Sequence, residues 1–283
     1  MGRRHLVLAA AAGLGVAVAV ASAATATATG GGAPAAPIQL ALGDSVAAGV
    51  GAPPGQGYVE VLHDTLTAGR ECGDGRALGC SLDLVNLSVP GATTETLISG
   101  QLPAAVDLVT ARRATPTPVD DVRLITLDIG GNDVVNPVIT ACAADPGSAG
   151  CAATIADRLG LVAANYDRIL AALRTAAGPD TPIAVMTYYN PLPGCRLAAL
   201  APLGQLVLEG GGPVPAGLND VIRSAAARYD AAVAETAPLI AVEDLVGGDD
   251  CTHPDASGHA DIAAAFAAVL DADAVTRPAG PAL

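Results

Sequence analysis

The chain is predicted to fold as an α/β protein built on a parallel sheet, and three observations carry that prediction. Five short apolar runs read as strands, helical periods lie between them, and chemically distinctive turns follow four of the five runs. Strands that alternate with helices imply a parallel sheet, because each crossover helix lays its apolar stripe on a face of the sheet and covers it.

The first segment stands apart from this pattern. Arg3 and Arg4 precede an apolar run from Leu6 to Val20 and then Ala21-Ser22-Ala23, the order of a secretory signal peptide over residues 1–23. A membrane anchor is the competing reading, but the run is rich in Ala and Gly and sits at the lower limit of a bilayer span, so no stable membrane insertion is expected after cleavage. The Arg pair leaves both general and twin-arginine export open. Residues 24–36 hold Ala, Thr, Gly and Pro without apolar periodicity and read as a flexible lead-in. One domain is expected over residues 37–270, large enough for a sizeable core. Residues 271–283 mix small residues with Pro and should fray as a tail.

Within that domain the strand-like runs are Ile38 to Leu42, Leu82 to Leu87, Val122 to Leu127, Ile183 to Tyr188 and Leu239 to Val242. The clearest helix spans Ala152 to Thr175, with Ile155, Leu159, Val162, Tyr166, Ile169 and Leu173 three and four apart. Leu218, Ile222, Ala225 and Tyr229 mark a second helix, and Gly258 to Leu270 a third, with Asp255 or Ser257 as its cap. Leu197 to Leu208 is strongly apolar between Pro- and Gly-rich flanks. Core packing is the favoured reading for it, a wall for an apolar substrate the other.

Charge and cysteines set the setting. The chain has 14 basic residues, all Arg, and 28 acidic ones; loss of Arg3 and Arg4 leaves 12 basic residues and a net charge of −16. Such a surface repels nucleic acid and anionic membranes. Six cysteines in an exported chain point to three disulfides. Pairing neighbours gives Cys72–Cys80 and Cys142–Cys151, each closing a short loop for roughly 2.5 kcal/mol, and leaves Cys195–Cys251, for about 4 kcal/mol. A zinc site competes poorly because no C-x-x-C spacing occurs.

The chemistry gathers in the turns. Strand one runs into Gly43-Asp44-Ser45, where a serine at a strand-to-helix turn presents its hydroxyl at the sheet edge and the helix start aims N–H groups at an oxyanion. Strand two leads to Ser88-Val89-Pro90-Gly91, where glycine lets the backbone approach a ligand. Strand three leads to Gly130-Gly131-Asn132-Asp133, whose Asn132 amide can donate to an oxyanion, and strand five is followed by Asp250-Cys251-Thr252-His253. All four turns fall at the carboxyl ends of strands, the edge where open α/β sheets bind ligands. A serine hydroxyl needs an adjacent base, and neutral imidazole suits that role. His5 lies in the leader, while His63 and His259 read as ordinary helix residues, so His253 is the expected base. Asp250 can orient its other ring nitrogen; Asp249, Asp244, Asp255 or a backbone carbonyl are the alternatives.

These residues resemble the SGNH hydrolases, also called GDSL esterases and lipases. The likeness rests on Gly43-Asp44-Ser45, Gly91, Gly131-Asn132-Asp133 and Asp250-Cys251-Thr252-His253, in the family's order across nearly the whole mature chain. Six cysteines and an Ala-rich leader further resemble the exported actinobacterial branch. The resemblance implies a three-layer α/β/α sandwich whose five-stranded parallel sheet has the flavodoxin-like order 2-1-3-4-5, with no cofactor and no metal. It also implies Ser45 as nucleophile, His253 as base and Asp250 as its partner, with an oxyanion hole from the N–H groups of Ser45 and Gly91 and the side chain of Asn132. The expected function is secreted hydrolysis of carboxylic esters through an acyl-enzyme, on a small-molecule or lipid ester, by a monomer. The substrate does not carry over, because members cleave lipids, aryl esters, acetylated sugars and thioesters. With Phe266 the only Phe and no Trp, an acyl groove should be lined by Leu, Val, Ala and Tyr. Two other classes compete: a secreted phosphoesterase with a metal on Asp44, Asp128, Asn132, Asp250 and His253, disfavoured by the few His, and an idle binding protein of the same fold.

Overall fold

A computed structural model describes residues 36–68, 82–115 and 121–270. These belong to one compact unit. The expected leader, most of the lead-in, the tail and the Cys72–Cys80 pair lie outside the described residues.

Five strands form one sheet: β1 (Ile38–Gly43), β2 (Asp83–Asn86), β3 (Val122–Asp128), β4 (Ile183–Met186) and β5 (Ala232–Ala234). All neighbours pair parallel, in the order β2-β1-β3-β4-β5. β1 is buried along its whole length and β3 at all but one residue, which is why both read as near-continuous apolar runs rather than as alternating ones. Around the sheet lie α1 (Tyr58–Thr67), α2 (Thr94–Ser99), α3 (Gln101–Arg113), α4 (Gly131–Cys142), α5 (Ala149–Ala177), α6 (Ala201–Glu209), α7 (Leu218–Arg228) and α8 (Ala256–Val269). α1 packs against α8 in one layer; α3, α5 and α7 pack side by side in the other. Among the described residues no helix is long and apolar enough to cross a membrane.

The helices follow their apolar stripes. In α5 the predicted positions Ile155, Leu159, Val162, Tyr166, Ile169 and Leu173 are all buried. The helix exceeds its expected bounds because Ser148 caps it, accepting from the Cys151 N–H. Asp255, rather than Ser257, caps α8, accepting from the N–H groups of Ser257 and Gly258.

The fifth strand needs correction. Leu239 to Val242 is not a strand; Leu239 and Val242 are each 48% exposed, and the chain there turns outward. The true β5 pairs Ala184↔Ala232, Val185↔Val233 and Met186↔Ala234. Its Ala-rich sequence has low strand propensity and reads as a continuation of α7, but an edge strand needs only a few ladder bonds on one side. His253 is therefore reached through a long loop after β5 rather than directly from the strand end.

Leu197 to Leu208 packs in its second half, where it also faces a cavity. A short 3₁₀ turn at Ala198–Leu200 leads into α6, whose Leu203, Val207 and Leu208 are buried and also line a cavity.

Candidate active site

The order β2-β1-β3 places the reversal of strand order between β1 and β3, so the crevice at their carboxyl ends is the topological place for a ligand. Ser45 follows β1 there, and Asn132 stands in the first turn of α4 after β3. Ser45 does not precede a helix as expected. Residues 44–50 form an isolated turn, closed by the Ala48 N–H on the Asp44 carbonyl and the Val50 N–H on the Ser45 carbonyl, and α1 begins only at Tyr58. The N–H groups at Ser45 thus come from a single turn rather than from a helix with a full dipole. Gly43 is required because a Cβ there would overlap the Asp128 carboxylate.

The turn after β2 is tied to both neighbours. The Val89 N–H donates to the Gly43 carbonyl at 3.1 Å, and the Asn132 amide donates to the Ala92 carbonyl at 3.0 Å. Gly91, between them, has φ +78°, a conformation in which glycine alone is unstrained. Neither Ser45 nor Gly91 gives its N–H to another described residue, and one proton of the Asn132 amide remains for a ligand.

His253 and Ser45 are 208 residues apart in sequence yet in contact: His253 Nε2 lies 2.8 Å from Ser45 Oγ. On the other side of the ring, His253 Nδ1 lies 2.8 Å from Asp250 Oδ2. The remaining oxygen, Asp250 Oδ1, accepts from the N–H groups of Thr252 at 2.9 Å and His253 at 3.0 Å. Burial pushes the Asp250 carboxyl upward, but the His253 ring and these two N–H groups outweigh it and hold the carboxyl below its usual range. An ionised Asp250 only accepts, so Nδ1 carries the ring proton and Nε2 accepts from the Ser45 hydroxyl. The rival acids are engaged elsewhere. Asp244 accepts from Ser257 and the Ala241 N–H, Asp255 caps α8, and Asp249 is fully exposed beside Arg196.

Two bridges frame this region. Cys142 is joined to Cys151 between α4 and α5, and Cys195 to Cys251 in the loop that carries His253. That loop is further held by the Arg196 N–H on the Gly248 carbonyl, the Tyr189 hydroxyl on the Thr252 carbonyl and the Val246 N–H on the His253 carbonyl.

Several supporting residues were not apparent from the sequence. Asp44 and Asp128 face one another beneath Ser45. Asp44 accepts from the Val46 N–H and the Tyr188 hydroxyl, and Asp128 from the Ala47 N–H and the Tyr58 hydroxyl. Burial, then the Asp44 charge, raises Asp128 well above its ordinary carboxyl value, and burial raises Asp44 as well, so the pair holds a proton more tightly than a free carboxyl does. The Gln101 side chain bridges both backbone groups of Gly43. His259, expected as an ordinary helix residue, is buried in α8, accepts from the Tyr58 N–H and donates to the Val50 carbonyl. Such contacts join residues far apart in the chain, and no local pattern announces them.

This arrangement leaves little for a metal. The oxygens of Asp44 and Asp128 are taken by internal donors, both nitrogens of His253 have partners, and among the described residues no three His, Cys, Asp or Glu are grouped to hold an ion.

Beside Ser45 opens a cavity of about 120 Å³. Its walls come from α4, the segment after β4 and α6, with Val134, Val138, Leu192, Leu203 and Val207 among them. Val and Leu dominate its apolar lining, with Ile139, Tyr188 and Tyr189 beside them and no Ala, and Ser45, Asn132, Asn190 and Thr252 are among its polar lining residues.

Residues 41–260 match the model of the GDSL-like lipase/acylhydrolase family. Among solved structures, the lipase Lip_vut3 from a goat rumen metagenome is 18% identical with a TM-score of 0.57, covering 82% of this chain and 97% of that one. The extracellular lipase of Streptomyces rimosus is 20% identical with a TM-score of 0.52, and phospholipase A1 of Streptomyces albidoflavus NA297 is 21% identical with a TM-score of 0.51. Each of these two covers 83% of this chain and 100% of its own. At such identities the likeness carries the three-layer fold. None of the curated proteins compared with the chain matches it. The family model spans nearly all of the folded domain and contains every residue of the Ser45 site, and the chain is therefore a member of the GDSL-like lipase/acylhydrolase family, a hydrolase of the SGNH type.

Proposed function

We propose that the chain is an exported serine esterase that hydrolyses carboxylic esters through Ser45, His253 and Asp250. One observation carries this reading: an unbroken hydrogen-bond chain from Asp250 through His253 to Ser45, both links 2.8 Å, ending at the mouth of an apolar cavity.

In this reading the Ser45 Oγ attacks the ester carbonyl carbon while His253 Nε2 takes the hydroxyl proton. The Asp250 carboxylate holds the ring and stabilises the imidazolium. The oxyanion accepts from the N–H groups of Ser45 and Gly91 and from the Asn132 amide, each such donor being worth about 10² to 10³ in rate. Collapse breaks the bond to the alcohol oxygen, which leaves with the proton from His253, and the acyl group remains on Ser45. Water then attacks the acyl carbon, His253 takes its proton, and the acid leaves as Ser45 recovers its hydrogen.

Export is part of the proposal. A leader over residues 1–23, removal after Ala23, and a domain with two disulfides suit an oxidising compartment. The test is turnover of p-nitrophenyl butyrate in EDTA, with mass labelling by an organophosphonate. Wild type should turn over and gain one adduct, and Ser45→Ala should lose the adduct and at least ~10³ in kcat. Turnover that collapses in EDTA, or a Ser45→Ala enzyme within tenfold of wild type, overturns the proposal.

A further inference from the structure

We propose that the cavity beside Ser45 is the acyl site and that it selects an extended aliphatic acyl chain of about octanoyl length. This rests on Ser45 as the nucleophile, and it names the class of substrate, which family membership leaves open.

Position and chemistry both support it. Gly131, Val134, Val135, Val138 and Ile139 form one stripe of α4, spaced so that they share a helix face. Opposite them stand Leu203 and Val207 of α6, a helix in contact with α4. Most polar lining groups other than Ser45 and Asn132 are turned to internal partners, the Thr252 hydroxyl excepted. The Tyr188 hydroxyl donates to Asp44, the Tyr189 hydroxyl to the Thr252 carbonyl, and Asn190 bonds to the Ala201 carbonyl and the Leu192 N–H. A sugar hydroxyl inside this cavity would leave water for walls of Val, Leu and Ile, an unfavourable exchange. A methylene chain would gain by the same transfer.

The dimensions agree on length. From Gly131 to Ile139 the stripe runs about 12 Å at the helical rise of ~1.5 Å per residue. A cavity of about 120 Å³ exceeds several-fold the ~10–15 Å³ that a single water-sized group needs to enter, so a chain of several carbons fits it and the stripe sets its length. An acetyl group would leave most of it unfilled. The geometry also separates acyl from alcohol. The leaving alkoxide must sit at His253 Nε2 to take its proton, whereas the cavity is lined by Ser45 and Asn132 and not by His253. The group that lies away from His253 is the acyl chain.

The experiment compares p-nitrophenyl acetate, butyrate, octanoate and palmitate, together with methyl octanoate against octyl acetate. In wild type kcat/KM should climb roughly threefold per methylene up to octanoate, as apolar burial requires, and drop at palmitate; methyl octanoate should outrun octyl acetate. Val138→Phe should cut the octanoate-to-acetate ratio at least tenfold. Ile139→Phe, at a half-buried position, should shift the optimum toward butyrate and serves if Val138→Phe fails to fold. A profile that is flat or highest at acetate overturns the inference while leaving the serine esterase intact. So does octyl acetate outrunning methyl octanoate, which would assign the cavity to the alcohol. So does an unchanged ratio in both variants. No turnover of any ester, with no organophosphonate adduct, removes the esterase reading and this inference with it.

Discussion

Replacing Asp250 by asparagine keeps the shape of the acid and inverts its hydrogen-bonding sense at one atom. In the native site Oδ2 faces His253 Nδ1 while Oδ1 accepts from two backbone N–H groups. The amide has one acceptor and one donor side. If its oxygen keeps the backbone bonds, its NH₂ faces His253 Nδ1, which must then accept, so the ring proton moves to Nε2 and blocks it as a base toward Ser45. The flipped amide restores the right tautomer but sets NH₂ against the N–H groups of Thr252 and His253. Losing those two bonds costs about 1 to 1.5 kcal/mol each, so at ~1.4 kcal/mol per tenfold the competent rotamer falls to roughly one molecule in a hundred. Asp250→Asn should therefore lower kcat by at least ~10², and by up to ~10⁴, the loss that a wrong tautomer causes in serine proteases. The assay is kcat and KM on a p-nitrophenyl ester at constant pH, with circular dichroism and Tm to establish folding. A folded variant within tenfold of wild type would refute Asp250 as the orienting group.

Asn132→Ala should lower kcat by ~10² to 10³ with little change in KM; a tenfold rise in KM at constant kcat would make Asn132 a substrate-binding residue instead. Removing the Cys195–Cys251 bridge with a double serine variant should lower stability by up to about 4 kcal/mol, read as denaturant midpoint. It should also reduce kcat about tenfold through displacement of His253, and unchanged kcat in folded protein would limit the bridge to stability. The buried Asp44–Asp128 pair has raised pKa values, so the folded state binds more protons than the unfolded state. Its stabilising contribution is full below the ordinary carboxyl range and is lost as pH rises through the raised values. Asp128→Asn, which imposes the neutral state, should accordingly gain in Tm relative to wild type as pH rises from about 5 to about 8, whatever the constant offset from the Ala47 bond; a difference that does not vary with pH argues against a retained proton.

How much of this could be read without coordinates depends on the range of each interaction. Apolar runs such as Ile38 to Leu42 and the stripe of α5 follow from burial against water and local periodicity, and they located four strands and three helices within a few residues. Three of the four chemical turns were equally legible, since a parallel sheet brings its carboxyl ends to one edge; Asp250 to His253 stood out by residue type alone, because a long loop rather than a strand end carries it. Pairing partners were not a local matter. Ala232–Ala234 is a strand because β4 offers it an edge, whereas the more strand-like Leu239 to Val242 comes after that edge is occupied. The choice of Asp250 over Asp249, Asp244 and Asp255 belongs to the same class, for four acids in one stretch are chemically alike until a loop pinned to Cys195 and Tyr189 points one of them at His253. The burial of Asp44 and Asp128 against one another, the His259 tie to α1 and the convergence of α4 with α6 on one cavity were decided only by the tertiary structure. Each depends on low-dielectric burial or on contact between residues far apart in the chain, and neither leaves a trace in the spacing of the sequence.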